Sequence, residues 1–207
     1  MKKGQISNAL RRLRLIYFTD KVVYYLQKFK NRKINREFKL KYPEVKLPPD
    51  YLIYESFQLN YPKYFTDSIG TAKWLADHFK KHIELKNKRI LDWGCGPGRI
   101  IRHLPDVIGN DCEFYGTDYN IKSIEWCTVN LPGINFNRND LKAKLPYKDQ
   151  YMDVIFGVSI FTHLSEQLHF DWYSELYRIL KPDGIMFLTT QGDNFKVKLT
   201  DPGTEEI

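Results

Sequence analysis

The chain has 207 residues, of which 43% are hydrophobic and 28% charged, a composition typical of a globular protein with one full domain and an appendage. No apolar run reaches the roughly 18 residues of a membrane-spanning helix, and we expect no signal peptide, because the first residues lack an apolar core. Three cysteines without a CxxC pair argue against a disulfide framework or a zinc ribbon. We therefore expect no metal site and a reducing, cytoplasmic location.

The net charge of +7 is unevenly distributed along the chain. Residues 1–41 contain 13 lysines and arginines, against only Asp20 and Glu37 as acids. The whole positive excess therefore lies in the first fifth of the chain, and the remainder is mildly acidic.

Residues 5–40 show helical periodicity, with apolar side chains spaced by three and four positions: Leu15, Phe18, Val22, Tyr25 and Phe29. We interpret residues 1–45 as a basic amphipathic helical extension. Three roles remain open for it. The apolar line packs on the body, or it lies on an anionic membrane surface as basic amphipathic helices do. Contact with nucleic acid is the least favoured role, because no recognised motif accompanies the charge.

Residues 46–88 are predicted to form a linker and a helix that packs on the core. The proline-rich stretch at residues 42–50 ends the first helical segment. A second helix is predicted from an N-cap at Thr66 or Asp67 to about His82. Between them, Tyr61 and Tyr64 belong to an aromatic run that is more typical of a core than of a lid over a ligand.

From residue 88 onward, short apolar runs alternate with helical segments. The predicted strands are Arg89–Trp93, Glu113–Thr117, Ile134–Asn137, Asp153–Val158 and Ile185–Thr190. The predicted helices are Gly98–Leu104, Ile121–Asn130, a weak one near 140–145, and Glu166–Leu180, followed by a turn at residues 181–184. This alternation predicts a doubly wound α/β domain, whose parallel sheet binds ligands beyond the carboxyl ends of its strands.

Three glycines follow the first strand at alternate positions: Gly94, Gly96 and Gly98. They let a ligand approach the backbone, and a helix beginning there offers unpaired N–H groups. The spacing is GxGxG rather than the GxGxxG that accompanies a dinucleotide pyrophosphate. Asp92, two residues earlier, would repel a phosphate but attract an ammonium or a sulfonium. A tight strand-to-helix turn is the alternative explanation.

Two further acids follow the second and third strands. Asp118 lies 20 residues after Gly98, where a carboxylate can accept hydrogen bonds from both ribose hydroxyls. Its alternative role is to cap the helix that begins near Ile121. Tyr119 can stack on a purine, and Asp140 can accept from an adenine amino group, although a simple turn acid explains Asp140 nearly as well.

Five motifs occur in order between residues 90 and 184, within a resemblance that covers roughly residues 67–192: ILDWGCGPGR, GTDYN, NDL, YMDVIFGVSIFTHL and LKPDG. Together they resemble the class I S-adenosyl-L-methionine-dependent methyltransferases. The resemblance implies a Rossmann-like sheet of order 3-2-1-4-5-7-6, with the cofactor across the first two strand ends. It implies cofactor contacts from Asp92, Gly94, Cys95, Gly96 and Gly98 at the methionine part, Asp118 and Tyr119 at the ribose and adenine, Asp140 and Leu141 at the adenine edge, and Gly157, Val158 and Ser159 beside the methionine and the acceptor.

The chain departs from that family after the fifth strand. Only 17 residues follow Thr190, and they lack the alternating apolar pattern of a hairpin. We therefore expect residues 89–207 to be a core of strand order 3-2-1-4-5 that is truncated at its C-terminus, because strand five would otherwise be an open edge.

The resemblance implies in-line methyl transfer to an oxygen or nitrogen of a small-molecule, sugar or lipid-linked acceptor. His163, after strand four, is the candidate general base, and its alternative role is packing at a helix start. His169 is interpreted as structural or solvated. Two other functions remain open, an NAD(P)-binding oxidoreductase and a non-catalytic module. We expect a cytoplasmic protein with peripheral membrane contact through the basic helix.

Overall fold

The computed structural model describes residues 16–190, with side chains from residue 18 onward. Leu15, the first predicted apolar helix position, lies outside the described residues. Contacts between backbone positions divide the chain into two units, Met1–Gly70 and Thr71–Ile207. Within residues 16–190, no helix is both long enough and apolar enough to cross a membrane.

The first unit is helical. It contains α1 (Ile16–Lys30), α2 (Arg32–Lys41), α3 (Asp50–Ser56) and the beginning of α4 (Tyr61–Phe79). The periodic segment that predicted one helix is therefore two helices separated at Asn31, and residues 42–49 of the proline-rich stretch form no helix, as predicted, while Asp50 begins α3.

Helix α4 begins earlier than the sequence predicted. Its first turn is capped by Asn60, whose Oδ1 accepts the backbone N–H of Lys63 at 3.0 Å. The predicted start at Thr66 or Asp67 is wrong because this cap lies inside the aromatic run. Tyr61 is buried in the core of the first unit, which agrees with the core interpretation of that run.

The polar side chains on one face of α1 contact the rest of the first unit. Asp20 accepts hydrogen bonds from the hydroxyls of Tyr51 at 2.9 Å and Tyr54 at 2.8 Å. One turn later, Tyr24 packs its ring edge-on against the same two tyrosines. Gln27 then accepts a backbone N–H from the loop before α4 at 3.1 Å. These three positions are spaced by four and three residues, so they form one helical face.

The opposite face of α1 is apolar and exposed. Phe18, Tyr25 and Phe29 have 66%, 65% and 66% of their surface accessible. The interpretation in which this line packs on the body is therefore wrong for the described residues, because the polar face occupies that position. We call five exposed residues the α1 apolar surface: Phe18, Val22, Tyr25, Leu26 and Phe29.

The second unit is built on a sheet of five parallel strands in the order β3-β2-β1-β4-β5, which confirms the predicted fold class. The strands are β1 (Arg89–Trp93), β2 (Glu113–Asp118), β3 (Ile134–Arg138), β4 (Met152–Gly157) and β5 (Leu180–Leu188). The helices are α5 (Leu104–Ile108), α6 (Ile121–Asn130) and α7 (Glu166–Ile179), with 3₁₀ turns at Ile101–His103 and Phe161–His163.

Both faces of the sheet are buried, as parallel sheets require. Along β1, Ile90 packs into the apolar cluster on one face, together with Phe114 and Phe156. Its neighbour Leu91 packs into the cluster on the other face, with Trp172. The sheet is therefore a rigid layer that fixes the positions of its strand ends.

Two predicted helices differ in the structure. The segment after the glycines forms a 3₁₀ turn followed by α5 rather than a helix over Gly98–Leu104. The weak helix near residues 140–145 is wrong, because that stretch contains only bends and extended backbone.

The predicted turn before the fifth strand lies inside β5. Met152 pairs with Leu180 and Val154 with Ile185, so β5 carries three extra residues between these two pairs. Lys181 holds this bulge by donating to both carboxylate oxygens of Asp153 at 2.8 Å. The turn residues therefore bend the strand instead of preceding it.

Candidate active site

The carboxyl ends of β1, β2 and β4 meet at one edge of the sheet. Trp93 lies opposite Thr117, and Asp92 lies between Gly116 and Phe156. The residues predicted around the methionine and ribose parts of a cofactor are therefore at neighbouring strand ends, as the topology requires.

The loop after β1 needs its glycines for two reasons. Gly94, Gly96 and Gly98 have φ of 76°, 52° and 76°, a left-handed region that other residues rarely adopt. A Cβ at Gly94 would lie 2.2 Å from Cδ1 of Ile160, and one at Gly98 would lie 2.6 Å from Cδ1 of Leu131. The loop is therefore fixed by its backbone conformation and by close packing.

The backbone N–H groups of this loop are already bonded within the protein. Gly94 and Cys95 donate to the carbonyl of Thr117 at 2.8 and 3.0 Å, and Gly96 donates to the Asp118 carboxylate at 2.8 Å. The prediction of unpaired N–H groups here is wrong for these residues, because the loop bonds to the end of β2 and leads into a 3₁₀ turn. The loop can receive a ligand through close approach rather than through these donors.

Cys95 is buried, and burial raises the pKa of its thiol well above the ordinary value. Its Sγ lies 3.5 Å from the carbonyl oxygen of Gly96, within weak hydrogen-bonding range. The thiol is therefore neutral and inert at physiological pH. A ligand contact from Cys95 would be a backbone or packing contact.

Asp92 is a buried carboxyl group at the end of β1, with 3% of its surface exposed. Burial raises its pKa to about 8, Arg99 acts against this rise, and Asp118 adds to it. Within residues 16–190 its carboxylate accepts no hydrogen bond. A buried carboxyl group that accepts no hydrogen bond from the described residues fits a further positively charged group, which would add to the effect of Arg99.

Asp118 connects two parts of the site. Its oxygens accept the backbone N–H groups of Gly96 and Asn120, each at 2.8 Å, while burial raises its pKa. The alternative that it caps the next helix is wrong, because Asn120 caps α6 by accepting from Lys122 and Ser123 at 3.1 and 3.4 Å. A carboxylate has about four acceptor positions, so Asp118 retains capacity for a ligand.

The predicted adenine-side residues are exposed beside this edge. The ring of Tyr119 has 63% of its surface accessible, and Leu141 is similarly exposed. Asp140 is also exposed and lies 3.6 Å from Arg138 in a surface ion pair. These residues offer an accessible ring, an apolar side chain and a carboxylate near the ends of β2 and β3.

Asn139 is the first residue of the NDL motif, and no role was predicted for it. It is buried, its Oδ1 accepts from the hydroxyl of Thr117 at 2.8 Å, and its N–H donates to the carbonyl of Asp118 at 3.1 Å. It therefore holds the ends of β2 and β3 together. The sequence signal was a polar residue at a strand end, but its burial depends on the fold.

The end of β4 continues the same edge. Gly157 is buried, Val158 is half-buried and Ser159 is exposed. Ser159 has a φ of 62°, and its N–H donates to the hydroxyl of Thr189 at 2.7 Å while its carbonyl accepts from Thr162 at 2.8 Å. Left-handed non-glycine residues often mark functional sites. The contribution of Thr189 was not predicted, because it depends on the pairing of β4 with β5.

The two histidines after β4 differ in environment. His163 is exposed in the 3₁₀ turn, and its ring has no hydrogen bond within the described part of the chain. His169 has its Nε2 2.6 Å from the carbonyl oxygen of Phe161 and its ring edge-on to the ring of Phe161. His169 is therefore structural, as interpreted, and His163 is accessible to a substrate.

Comparison with known proteins shows what this edge belongs to. Residues 90–184 match the family model described as a methyltransferase domain. Phthiotriol/phenolphthiotriol dimycocerosates methyltransferase 1 of Mycobacterium ulcerans is 33% identical over 113 residues, which are 52% of this chain and 39% of that protein. This part of the chain is a class I S-adenosylmethionine-dependent methyltransferase domain.

Other relatives agree with the methyltransferase domain. Demethylmenaquinone methyltransferase of Lactobacillus johnsonii is 30% identical over 144 residues, covering 64% of this chain and 57% of that protein. A crystal structure from Pyrococcus horikoshii shares the fold with a TM-score of 0.52 at 24% identity, covering 67% of this chain and 66% of that one. The chain spans about half the length of the curated relatives it matches.

Proposed function

We propose that this protein transfers a methyl group from S-adenosylmethionine to an oxygen or nitrogen of a lipid-linked or other small acceptor. The observation that carries the proposal is Asp92, a buried carboxyl group without a hydrogen-bond partner in the described part of the chain, directly before a glycine loop. The cofactor supplies an activated methyl group on a sulfonium and also carries an ammonium. A cation near Asp92 would add to the positive charge of Arg99 and offset the cost of ionising this buried carboxyl group.

The other residues at this edge have complementary roles in the proposal. The glycine loop lets the ligand lie against the backbone, and Asp118 uses its remaining acceptor positions for the ribose hydroxyls. The exposed ring of Tyr119 stacks on the purine, and the carboxylate of Asp140 accepts from its amino group. Gly157, Val158 and Ser159 line the side nearest the acceptor.

Positioning is the main contribution of such a site to the rate. Holding the nucleophile, the methyl carbon and the sulfur in line can supply about 7–11 kcal/mol of the barrier. A hydroxyl acceptor also has to lose a proton. His163 is accessible on the segment after β4 and is the proposed base for that step.

We predict that His163→Ala lowers kcat for a hydroxyl acceptor by about 10²–10⁴-fold, the usual contribution of a general base. The Kd for S-adenosylmethionine should change less than about twofold, because the ring lies outside the proposed cofactor contacts. Steady-state assays with a saturating hydroxyl acceptor measure kcat, and calorimetry measures the Kd for S-adenosylmethionine. His82→Ala, which removes an exposed histidine before β1, is the matched control. Equal kcat in the two variants would remove the base role.

Transfer itself is tested with S-adenosylmethionine labelled in its methyl group. The matched relatives are named for phthiotriol dimycocerosates and demethylmenaquinone. The first offers a hydroxyl group and is the first acceptor to try, whereas label in the second would indicate transfer to a ring carbon instead of an oxygen or nitrogen. A membrane-lipid extract and free sugars complete the panel. Label in an extracted acceptor supports the proposal. Cofactor binding without transfer to any acceptor favours a non-catalytic module, and binding of NADH instead favours an oxidoreductase.

We also propose that the first unit contacts an anionic membrane surface. The α1 apolar surface is exposed along about three helical turns. At 100° per residue, Lys21 and Lys28 flank this surface on one side and Lys30 on the other. Burying one phenylalanine contributes about 1.5–3 kcal/mol, and each lysine near an anionic surface contributes about 1 kcal/mol. The arrangement is that of an interfacial helix.

We predict that the double variant Phe18→Ser/Phe29→Ser binds anionic vesicles at least about tenfold more weakly than the wild type, because it removes two rings that become buried in the membrane surface on binding. Vesicle sedimentation at fixed ionic strength measures the partition coefficient. Val129→Ser, which changes an exposed apolar residue on α6, is the control and should bind like the wild type. Unchanged partitioning of the double variant would contradict the proposal.

A further inference from the structure

The first unit contains a charged cavity of about 420 Å³. We call it the basic pocket, and its charged lining residues are Lys28, Arg32, Arg36, Lys39 and Asp50. It lies among α1, α2 and the beginning of α3, all within the first unit, and none of its residues belongs to the methyltransferase domain. Four cations therefore surround one carboxylate.

The carboxylate of Asp50 is already engaged. It forms an ion pair with Lys28 at 2.9 Å and accepts the hydroxyl of Tyr61 at 2.5 Å. Burial opposes its ionisation, but these two donors outweigh burial and hold its pKa below the ordinary value. Asp50 is therefore a charged anchor for Lys28, and the remaining three cations have no ion pair with it.

Those three cations lie on one face of α2. Arg32, Arg36 and Lys39 are spaced by four and three residues, which places them in register along the helix. Like charges at such spacings destabilise a helix by about 0.2–0.5 kcal/mol per pair. Arg36 has no ion pair or ring contact with any residue in the described part of the chain. The helix therefore carries a repulsion that a bound anion would relieve.

The floor of the pocket is rigid. The side chain of Asn35, on the same face of α2, donates to the carbonyl of Leu59 at 3.2 Å and accepts the N–H of Tyr61 at 2.9 Å. These buried bonds fix α2 against the start of α4. The segment of α2 that carries the three cations is thus fixed before any ligand arrives, which lowers part of the entropic cost of binding, while the cationic side chains themselves are exposed.

We propose that the basic pocket binds a phosphate group. Guanidinium groups match phosphate oxygens through paired hydrogen bonds, and two of the three cations that form no ion pair with Asp50 are arginines. The guanidinium of Arg32 packs 4.4 Å from the ring centre of Phe29, which belongs to the α1 apolar surface. The pocket and that surface therefore share a border, and a phospholipid headgroup or a soluble phosphorylated molecule would supply the same chemistry.

The test compares two substitutions on α2 that remove the same charge. Arg36→Gln removes a pocket cation, whereas Lys33→Gln removes an exposed lysine whose weak partner is Glu37 at 4.0 Å. One arm titrates inorganic pyrophosphate by calorimetry. The other arm measures binding to two kinds of phosphatidylcholine vesicle, one containing phosphatidic acid and one containing phosphatidylglycerol, with the same total charge.

We expect Arg36→Gln to weaken binding by about tenfold or more, as expected for losing charge-assisted hydrogen bonds, and Lys33→Gln by less than about twofold. Arg36→Lys should lose less than Arg36→Gln. A loss with pyrophosphate identifies a soluble phosphate source, and a loss only with phosphatidic acid vesicles identifies a headgroup. Equal losses in the two glutamine variants, or no binding in either arm, would overturn the proposal. Calorimetry with S-adenosylmethionine on the same variants keeps this result separate from methyl transfer.

Discussion

Replacing Asp92 with asparagine should make the protein more stable and its cofactor binding weaker. The pKa of Asp92 is about 8 in the folded protein, above the 3.8 of an ordinary aspartate. The folded state therefore favours the protonated carboxyl group, and the stability linked to that proton is present below pH 3.8 and is lost as the pH rises to about 8. Asparagine resembles the protonated form at every pH.

The expected gain in the free energy of unfolding for Asp92→Asn at pH 9 is about 2–5 kcal/mol, because one pKa unit corresponds to about 1.4 kcal/mol. At pH 4 the gain should nearly vanish. Urea unfolding at both pH values measures it. From pH 4 to pH 9 the affinity of the wild type for the cofactor should rise while its free energy of unfolding falls relative to that of Asp92→Asn, because a cation needs the ionised carboxylate.

The affinity of the wild type for S-adenosylmethionine, divided by that of Asp92→Asn, should rise about tenfold between pH 6.5 and 8.5 as Asp92 ionises. Using this ratio cancels the titration of the ligand itself. A variant that gains no stability at pH 9 and binds the cofactor like the wild type would show that Asp92 does not hold the cation.

Replacing Gly94 with alanine should disrupt the site by distorting the glycine loop after β1. The φ of 76° costs a non-glycine residue about 1–2 kcal/mol, and the new Cβ would lie 2.2 Å from Cδ1 and 2.5 Å from Cγ1 of Ile160. Overpacking of this kind typically costs about 1–3 kcal/mol more. We expect a loss of about 2–5 kcal/mol in the free energy of unfolding and a clear loss of cofactor affinity.

Gly133→Ala is the matched control, because Gly133 has a φ of 84° but a Cβ there would meet nothing within 4 Å. It should lose only about 1–2 kcal/mol. The double variant Gly94→Ala/Ile160→Ala removes the clashing atoms, so it should bind the cofactor better than Gly94→Ala alone. Similar losses in the Gly94 and Gly133 variants would mean that packing against Ile160 does not fix the loop.

The sheet could be predicted from the sequence because buried parallel strands are continuous apolar runs between helices. The bounds of β1 agree with the prediction, those of β2 and β3 differ by one residue at one end, and β4 is shifted by one residue at both ends. Strand β5 differs because the residues 181–184 are turn formers by local preference, whereas Lys181 bonds to Asp153 on β4 and keeps them within the strand.

The orientation of α1 could not be predicted from periodicity. The apolar line identifies one face of the helix, but what packs against the body is decided by distant partners. Tyr51 and Tyr54 provide hydroxyls for Asp20, and their rings contact Tyr24. The polar face therefore packs inward, and the apolar face remains exposed.

The candidate site was predictable in position and less so in chemistry. Asp92 and Asp118 were placed at the strand ends because the strands were recognised. Whether a carboxylate is satisfied depends on the fold, since Asp118 accepts the N–H of Gly96 while Asp92 accepts no hydrogen bond within residues 16–190. The supporting bonds of Asn139 likewise required the pairing of β2 with β3.

The central claim is that the edge formed by β1 and β2 binds a cationic methyl donor. Calorimetric titration of the wild type with S-adenosylmethionine, and separately with NADH, at pH 8.5 tests it most directly. We expect saturable one-to-one binding of S-adenosylmethionine that Asp92→Asn weakens by about tenfold or more, a loss typical of hydrogen bonds to charged groups, and no saturable binding of NADH. Saturable binding of NADH with no response to S-adenosylmethionine would contradict it.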